Sequence, residues 1–450
     1  MHEVIAIHEA TMRHLQPLVA TLLLLATGLT PAARTRDSPA PQGRTVAMLR
    51  ASAVKVDITP QNSQWLLGYQ ARQSNGVHDR IYHRVVALES GGTQFYLISS
   101  DLCLFSPTLY DSVTRDLQKD TGIDPAHVWW SVTHTHAAPE IGPPDMYKVL
   151  LGRSDHEWDR EYTATATRAL VGAVQAARDK LEPARIAFGS GTSMANINRR
   201  AKDVDGKISL GLNPDGPADR TFNVIRIDRP DGGLIALVAN YAMHGTVMNG
   251  QNLKISGDAP GAVTAYLEDK LGGTALYING AAGNIAPIYS VYPDPSSGHL
   301  SQFNVLLGDR ILAAVAALGP GTGAVTIRLG EKTIETPRRD GLTWPDELAA
   351  FATAGDRPMV RLPLRFLAIN DTVIWSAPVE LFCEIAMKVR ERSPFARTFY
   401  FGYTNGWFGY LPTAQAFEEG GYEPRTSPFT AQVEADLTQA VTAFIEGFRR

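Results

Sequence analysis

Two histidines near position 135 are the residues of this sequence best suited to chemistry. His134 and His136 follow the apolar run Trp130–Val132, which reads as the end of a β-strand. Side chains two residues apart on a strand lie on the same face, so both imidazoles can face one point. Residues 139–144 are rich in proline and glycine and cannot continue the strand. The pair therefore lies where a strand becomes a loop, which is where open α/β sheets build their sites.

Polar side chains follow other apolar, strand-like segments in the same way. These side chains are Asp101, His244, Asn279, Asn284, Glu380 and the residues from Tyr403 to Tyr410. If the strand ends share one edge of a sheet, two or three imidazoles meet a carboxylate. That set suits a zinc ion with one position open for water. Water on such an ion loses its proton near neutral pH and becomes a nucleophile.

Each of these residues also has a purely structural interpretation. His134 and His136 could form a hydrogen-bonded polar strand end, and His244 could fill a structural position. Glu380 could simply favour the dipole in the first turn of a helix, and Tyr410 could pack in the core. Their joint occurrence after apolar strands is what favours a metal site.

Predicted strands alternate with predicted helices along the chain. Helical patterns cover residues 106–119, 156–181, 258–271, 300–318, 380–392 and 430–448, and Asp258 is a natural N-cap. The alternation predicts an α/β fold, a layered mixed sheet with flanking helices in a single large domain. Residues 320–362 are predicted to be irregular. The sequence shows no internal repeat.

Composition narrows the class of protein. The chain has 450 residues and is 44% hydrophobic, which is enough to bury a large core. Lys and Arg number 42 against 46 Asp and Glu, without a basic run, so no nucleic acid partner is implied. Cys103 and Cys383 are too few for a disulfide framework and are predicted to be buried apolar residues.

The first 33 residues are typical of a secretory signal peptide. Arg13 precedes an apolar run at 18–26 and small residues at 31–33, and Met12 is an alternative start. The run is short for a membrane span, although an uncleaved anchor is also compatible with it. Residues 34–48 are predicted to be a linker and residues 49–450 the functional domain. A secreted or periplasmic protein is therefore expected.

Several motifs, in this order, resemble the catalytic domain of the neutral/alkaline, non-lysosomal ceramidases. The similar segments are Lys55–Thr59, Gly76–Arg80, Thr133–His136, Asn196–Arg199, His244–Thr246, Asn405–Thr413 and Gly421–Glu423. The resemblance implies a zinc ion held by four ligands, namely His134, His244, Glu380 and Tyr410. It also implies that His136 exchanges a proton with the reacting amide or steadies its oxyanion. Arg199 and Tyr422 would bind the carbonyl oxygen or the intermediate.

The chain departs from the family pattern at Ala286. The family has Gly-Asp-Val-Ser-Pro where this chain has Gly-Asn-Ile-Ala-Pro at 283–287. Without a hydroxyl, Ala286 excludes an acyl-serine mechanism at that position, which leaves attack by metal-activated water with His136 as proton carrier. The family's C-terminal immunoglobulin-like domain is also not expected after the closing helix. Both departures weaken the expectation that ceramide is the substrate, but they do not affect the expectation of metal-dependent amide hydrolysis.

The predicted function is that of a secreted zinc-dependent hydrolase of amide C–N bonds. Its substrate would be a small-molecule or lipid amide of sphingolipid type, which is compatible with transient contact with a membrane surface. One alternative is a non-catalytic, metal-containing protein that binds a lipid or glycan, and another is a zinc esterase. His136, Arg199 and Tyr422 favour an enzyme, because a binding protein has little need for a proton carrier.

Overall fold

Three β-sheets form the centre of the computed structural model, which describes residues 47–289, 300–353, 355 and 357–449. The strands are β1 Ala47–Met48, β2 Arg50–Asp57, β3 Trp65–Leu66, β4 Arg72–Gln73, β5 Tyr82–Ser90, β6 Thr93–Ser100, β7 Val128–Val132, β8 Glu182–Pro183, β9 Arg185–Thr192, β10 Asn196–Lys202, β11 Ile208–Asn213, β12 Thr221–Asp228, β13 Leu234–Tyr241, β14 Thr274–Asn279, β15 Ile285–Pro287, β16 Ala324–Val325, β17 Ile327–Pro337, β18 Met359–Ile369, β19 Thr372–Ser376, β20 Glu380–Leu381, β21 Arg397–Phe401 and β22 Tyr410–Leu411. The helices are α1 Pro107–Thr121, α2 Asp145–Leu151, α3 Arg160–Asp179, α4 Asp258–Leu271, α5 Asp309–Ala316, α6 Cys383–Arg392, α7 Ala414–Glu419, α8 Tyr422–Thr426 and α9 Val433–Arg449. Short 3-10 segments cover Pro125–His127 and Asp346–Phe351, and a π turn covers Asn304–Gly308.

The three main sheets repeat one topology. In the first sheet, β2, β5 and β6 are consecutive antiparallel neighbours, and β7 returns through α1 to lie parallel to β6. The second sheet repeats this order with β9, β12, β13, α4 and β14. The third repeats it with β17, β18, β19, α6 and β21. The repeat is one of topology, and it is not visible as similarity between segments of the sequence.

Short sequence signals explain the turns and the helix ends in the first sheet and its connecting helix α1. Gly91 and Gly92 both have positive φ, as a tight hairpin turn between β5 and β6 requires. The side chain of Ser106 caps α1 by accepting a hydrogen bond from the Thr108 backbone N–H, and Pro107 occupies the first turn. Gly122 then ends the helix in the left-handed conformation, with φ of 74°.

The inner faces of the three sheets share one apolar core. Its members include Val86, Leu97 and Trp129 from the first sheet, Ile227, Val238 and Ile278 from the second, and Leu367, Ile374 and Phe399 from the third. Helices α1 and α3 cover the outer side of the first sheet, α4 and α5 that of the second, and α6 and α9 that of the third. The layered α/β fold with flanking helices is therefore confirmed. Within the described residues, no helix has the length and apolarity that crossing a bilayer requires.

Two sequence predictions differ from the structure. The prediction that residues 320–362 are irregular is wrong for 327–337 and 359–362, because β17 pairs with β18 there. Charged side chains along β17 and Pro363 within β18 mask β17 and the first residues of β18, since strand signals depend on apolar alternation without proline. The later part of β18, from Leu364, is predicted correctly as a strand. Ala47 and Met48, assigned to the end of a linker, pair with β16. The rest of that linker and the proposed signal peptide lie outside the described residues.

His83, in β5, is a buried histidine held in its neutral form. Its Nε2–H donates to the Ala166 carbonyl at 3.0 Å, and its Nδ1 lies 2.6 Å from the Ser100 hydroxyl. The Trp130 indole N–H also donates to that hydroxyl, which leaves the hydroxyl proton for His83. Burial lowers the pKa of His83 to about 4.

This histidine should make stability depend on pH. The unfolded imidazole binds a proton near pH 6.5, so the contribution of His83 is complete above that pH and is lost as the pH falls towards 4. Between pH 7.5 and pH 5, we expect the wild type to lose about 2 kcal/mol more unfolding free energy than His83→Gln. Urea unfolding of both proteins at both pH values measures the difference. An equal loss in the two proteins would contradict it.

Candidate metal centre

One side chain from each of the three sheets meets at a buried cluster. His134 follows β7, His244 follows β13, and Glu380 follows β19. The Glu380 Oε2 atom lies 3.4 Å from His134 Nε2 and 3.2 Å from His244 Nε2. All three side chains are at most 2% exposed. The structure thus brings together residues that are more than a hundred positions apart in the sequence.

The spacing and the outer contacts of this cluster fit a zinc ion. Ligand bonds of 2.0–2.1 Å in a tetrahedral site place ligand atoms about 3.3 Å apart, close to the distances seen. His134 Nδ1 donates to the Cys103 carbonyl and His244 Nδ1 to the Ile285 carbonyl, each at 2.9 Å. Both rings therefore direct Nε2 at the cluster, which is the usual arrangement of histidines that bind metals.

Glu380 has one oxygen held by the protein and one directed at the histidines. The Trp407 indole N–H donates to Glu380 Oε1 at 2.9 Å. Burial favours the protonated acid, but His134 and His244 hold the pKa of Glu380 well below its usual value. Burial also lowers the pKa of His244 to about 3. Acting against burial, Cys103 and Glu380 raise the pKa of His134 to about 10, so a metal ion would have to displace a proton from that imidazole. An ionised carboxylate and neutral imidazoles are the states in which these groups bind metals.

The backbone at the two histidine segments explains their proximity. Strand β7 ends at Val132, and His134 has a φ of 62°, in the left-handed region. The premise that His134 and His136 share one face of a strand is therefore wrong. Instead, the His136 N–H donates to the Gly245 carbonyl and the Gly245 N–H to the His134 carbonyl. A Cβ on Gly245 would lie 2.7 Å from the His134 carbonyl oxygen, so only glycine permits this pairing.

Asp258 anchors the loop that follows His244. Its carboxylate accepts hydrogen bonds from the backbone N–H groups of Val247, Met248 and Ala259. The prediction that Asp258 is the N-cap of α4 is wrong, because the cap is Gly257, and the Asp258 side chain instead ties this loop to the start of the helix. Burial raises the pKa of Asp258 to about 6.

His136 lies beside the cluster with an unused nitrogen. Its Nε2 is 3.2 Å from His134 Nε2, and its buried Nδ1 has no hydrogen-bond partner among the described residues. Burial and the imidazoles of His134 and His244 lower the pKa of His136 well below its ordinary value. The Tyr69 ring lies in a T-shaped contact with the imidazole, with ring centres 4.9 Å apart. Arg72 donates a hydrogen bond to the His136 backbone carbonyl. His136 is therefore a neutral, positioned imidazole that can accept a proton.

Arg199 contacts the cluster, Tyr410 lies beside Arg199, and Tyr422 lies beside Tyr410. Arg199 Nη1 is 2.9 Å from His244 Nε2, a contact that a metal on that nitrogen would displace. The buried Nη2 of Arg199 has no partner in the part of the chain that the structure describes. Tyr410 pairs with Glu380 across β20 and β22, and the Arg199 guanidinium lies 5.4 Å from its ring centre. The Tyr422 ring is 5.6 Å from that of Tyr410.

The other polar strand ends take no part in the cluster. Asp101 pairs with Arg84 at 2.7 Å, and Asn279 binds the backbone of Met243 through both its amide atoms. Asn284 bridges Glu384 and the Cys383 N–H. Their position after apolar strands therefore reflects support of the site loops. Cys103 and Cys383 are buried, as predicted, and they form no disulfide with each other.

The sequence did not predict the supporting roles of four residues, although Tyr403 is among the polar residues noted after an apolar strand. Tyr403 stacks on His134 with ring centres 4.2 Å apart, and Trp407 holds Glu380. Gly68 packs against His136, and Glu423 binds Arg199. Trp407 and Glu423 lie within segments noted for other residues, but no spacing marks either one as a partner of the site.

Comparisons with known proteins agree with this architecture. Residues 51–290 match the family model described as neutral/alkaline non-lysosomal ceramidase, N-terminal. The neutral ceramidase of Pseudomonas aeruginosa is 26% identical over 53% of this chain and 37% of its own length. Neutral ceramidase A of Dictyostelium discoideum is 28% identical over 59% and 39%, and the neutral ceramidase of Mycobacterium tuberculosis is 28% identical over 56% and 40%. The matched region thus spans less than half the length of these relatives.

A solved structure shares the fold. The crystal structure of the neutral ceramidase from Pseudomonas aeruginosa superposes with a TM-score of 0.72, covering 90% of this chain and 75% of that one at 18% identity. The family model covers more than half of the chain, and the fold agrees with that of a solved member. This chain belongs to the neutral/alkaline non-lysosomal ceramidase family.

Proposed function

We propose that this protein is a zinc-dependent hydrolase that cleaves the C–N bond of N-acyl amides, with a sphingolipid-like amide as substrate. The observation that carries the proposal is the meeting of His134, His244 and Glu380 at ligand spacing, with His136 and Arg199 on the same centre. Membership of the ceramidase family supports an amide as the substrate class.

The residues that would hold the metal are His134, His244 and Glu380, with Tyr410 as the fourth ligand. A zinc ion in such a site supplies Lewis acidity, which polarises a carbonyl oxygen and lowers the pKa of water to about 7. The support for Tyr410 is its pairing with Glu380 and its contact with Arg199. The imidazole and carboxylate contacts described above support the other three.

His136 is the proposed proton carrier. Its pKa is held low, so the imidazole is neutral and can take the proton of the attacking water. It then passes that proton to the nitrogen of the leaving amine as the C–N bond breaks. His136 is also more exposed, at 8%, than His134 or His244, at 1% and 0%, so it lies on the side from which a substrate can approach.

Arg199 and Tyr422 are the proposed binders of the reacting oxygen. The unpartnered Nη2 of Arg199 is a cationic donor in a water-poor site, where hydrogen bonds to a developing oxyanion are strongest. Ala286 lies in β15 opposite Ile197 and has no hydroxyl, so no acyl-serine forms at that position. Water is therefore the direct nucleophile in this mechanism.

Secretion or a periplasmic location is part of the proposal, supported by the signal-like sequence of residues 1–33. Residues 34–48 would link that segment to the hydrolase domain at 49–450. Transient contact with a membrane surface would follow from a lipid amide as substrate.

Hydrolysis of a fluorogenic short-chain N-acyl amide by the purified protein tests the proposal. We expect turnover that a chelator abolishes and added zinc restores, and much slower cleavage of the matching ester. Cleavage of the ester alone would make the protein an esterase. No turnover of either compound with one equivalent of zinc bound would show a binding protein.

A further inference from the structure

We propose that Glu423 is a positioning residue that fixes Arg199 in the active site. This inference rests on the proposed function, because it assigns a task within the same reaction. Glu423 lies in α8 directly after Tyr422, and its side chain is 0% exposed. It does not contact the metal cluster, so its effect on the reaction passes through the residues that it holds.

Both oxygens of the Glu423 carboxylate are occupied by neighbouring arginines. Arg199 Nε donates to Oε1 at 2.8 Å, and Arg200 Nη1 donates to Oε2 at 2.8 Å. The two arginines are consecutive residues of β10, which is more than two hundred positions away in the sequence. One buried carboxylate therefore joins the strand that carries Arg199 to the helix that carries Tyr422.

The contact with Arg199 sets the direction of its guanidinium group. This group is planar, with its donors in a rigid fork, so a bond at Nε determines where both terminal nitrogens point. One of them, Nη1, lies 2.9 Å from His244 Nε2, and the other, Nη2, is buried without a partner among the described residues. Glu423 thus fixes the direction of the guanidinium donors that are proposed to bind the reacting oxygen.

The contact with Arg200 secures the turn that begins at Gly420. Arg200 Nη2 donates to the Gly420 carbonyl at 2.8 Å and lies 3.3 Å from Glu419. Gly421 has a φ of 101°, and a Cβ there would lie 2.9 Å from Ile208 and 3.1 Å from Arg200. The chain is therefore tightly packed immediately before Tyr422, and Arg200 binds both this turn and the Glu423 carboxylate.

A purely structural role for this ion cluster predicts a different outcome. Breaking a buried ion pair leaves an unpaired charge and destabilises any protein, whatever the pair does for the reaction. A residue that acts through Arg199, however, has nothing left to position once Arg199 is gone. The dependence of one substitution on the other therefore distinguishes the two roles.

A double-mutant cycle with Glu423→Gln and Arg199→Ala tests the proposal, with amide hydrolysis measured well below the unfolding temperature of each variant. We expect Glu423→Gln to lower kcat/KM roughly 10- to 100-fold with the zinc content unchanged, because small misplacements of a binding group have effects of this size. In the Arg199→Ala background it should lower kcat/KM less than about threefold. If the two single-variant losses of kcat/KM multiply in the double variant, the proposal is overturned.

Asp101→Asn is the matched control, since Asp101 is a buried carboxylate paired with Arg84 outside the cluster. Its effect on kcat/KM, whatever its size, should be the same with and without Arg199. If Glu423→Gln does not fold, Glu423→Asp keeps the charge but shortens the reach, and the same cycle applies. If the wild type turns over the amide but the losses of kcat/KM multiply in the double variant, only the role of Glu423 is refuted. If the zinc-loaded wild type shows no turnover, the proposed function is refuted as well.

Discussion

Replacing His244 by alanine should strip the protein of zinc, whereas replacing His136 by alanine should leave zinc bound and remove most of the activity. His244 offers Nε2 to the cluster while a carbonyl holds its Nδ1, so its loss removes a ligand. His136 has no such outer contact at Nδ1. Loss of a proton carrier costs a factor of roughly 10² to 10⁴ in kcat.

Metal analysis after dialysis, together with kcat for the amide substrate, measures both effects. His134→Ala should behave like His244→Ala. His127→Ala is a suitable control, because His127 lies in the short segment before β7 and away from the cluster. Equal loss of zinc from the His134, His136 and His244 variants would make His136 a ligand and overturn the division of roles.

Gly68→Ala should lower activity roughly 100-fold without removing the metal. Gly68 has a φ of 116°, and a Cβ there would lie 2.4 Å from Cγ and 2.5 Å from Nδ1 of His136. The imidazole must move to make room, and displacement of a reacting group by about 1 Å can cost roughly 100-fold in rate. The ligands of the cluster do not contact Gly68 in this way, so zinc should stay.

The matched control for this substitution is Gly122→Ala. Gly122 also has a positive φ, of 74°, but a Cβ there meets nothing within 4 Å. It should lose about 1 kcal/mol of stability through backbone strain and keep its activity. Measurements of stability, zinc content and kcat for the two variants distinguish backbone strain, which both share, from displacement of His136, which only Gly68→Ala causes. A wild-type rate in Gly68→Ala would contradict the placement of His136 in the reaction.

The centre depends on all three sheets at once. Each sheet delivers one of His134, His244 and Glu380, and no sheet carries two of these three groups. Metal binding is consequently coupled to the packing of the sheets, because the ligands are at bonding distance only when the common core is formed. The shared inner core is thus as necessary for the site as the ligands themselves.

Much of the site is predictable from the sequence because of where its polar residues occur. His134, His244 and Glu380 each follow an apolar strand, and such a pattern marks groups delivered to the edge of a sheet. The same pattern also marked Asp101 and Asn279, which support loops instead. Polarity after a strand indicates an edge but does not indicate which of several neighbours the side chain faces.

The sequence by itself determined the alternation of strands and helices and the candidate ligands, because the patterns that mark them depend on neighbours close along the chain. Only the tertiary structure decided that one topology occurs three times, that β17 pairs with β18, and that His134 takes a left-handed backbone. It also decided the partners of the site, such as Trp407 on Glu380 and Glu423 on Arg199. Those contacts join residues that are distant in sequence, and their energies depend on burial and direction, which arise only when the three sheets pack together.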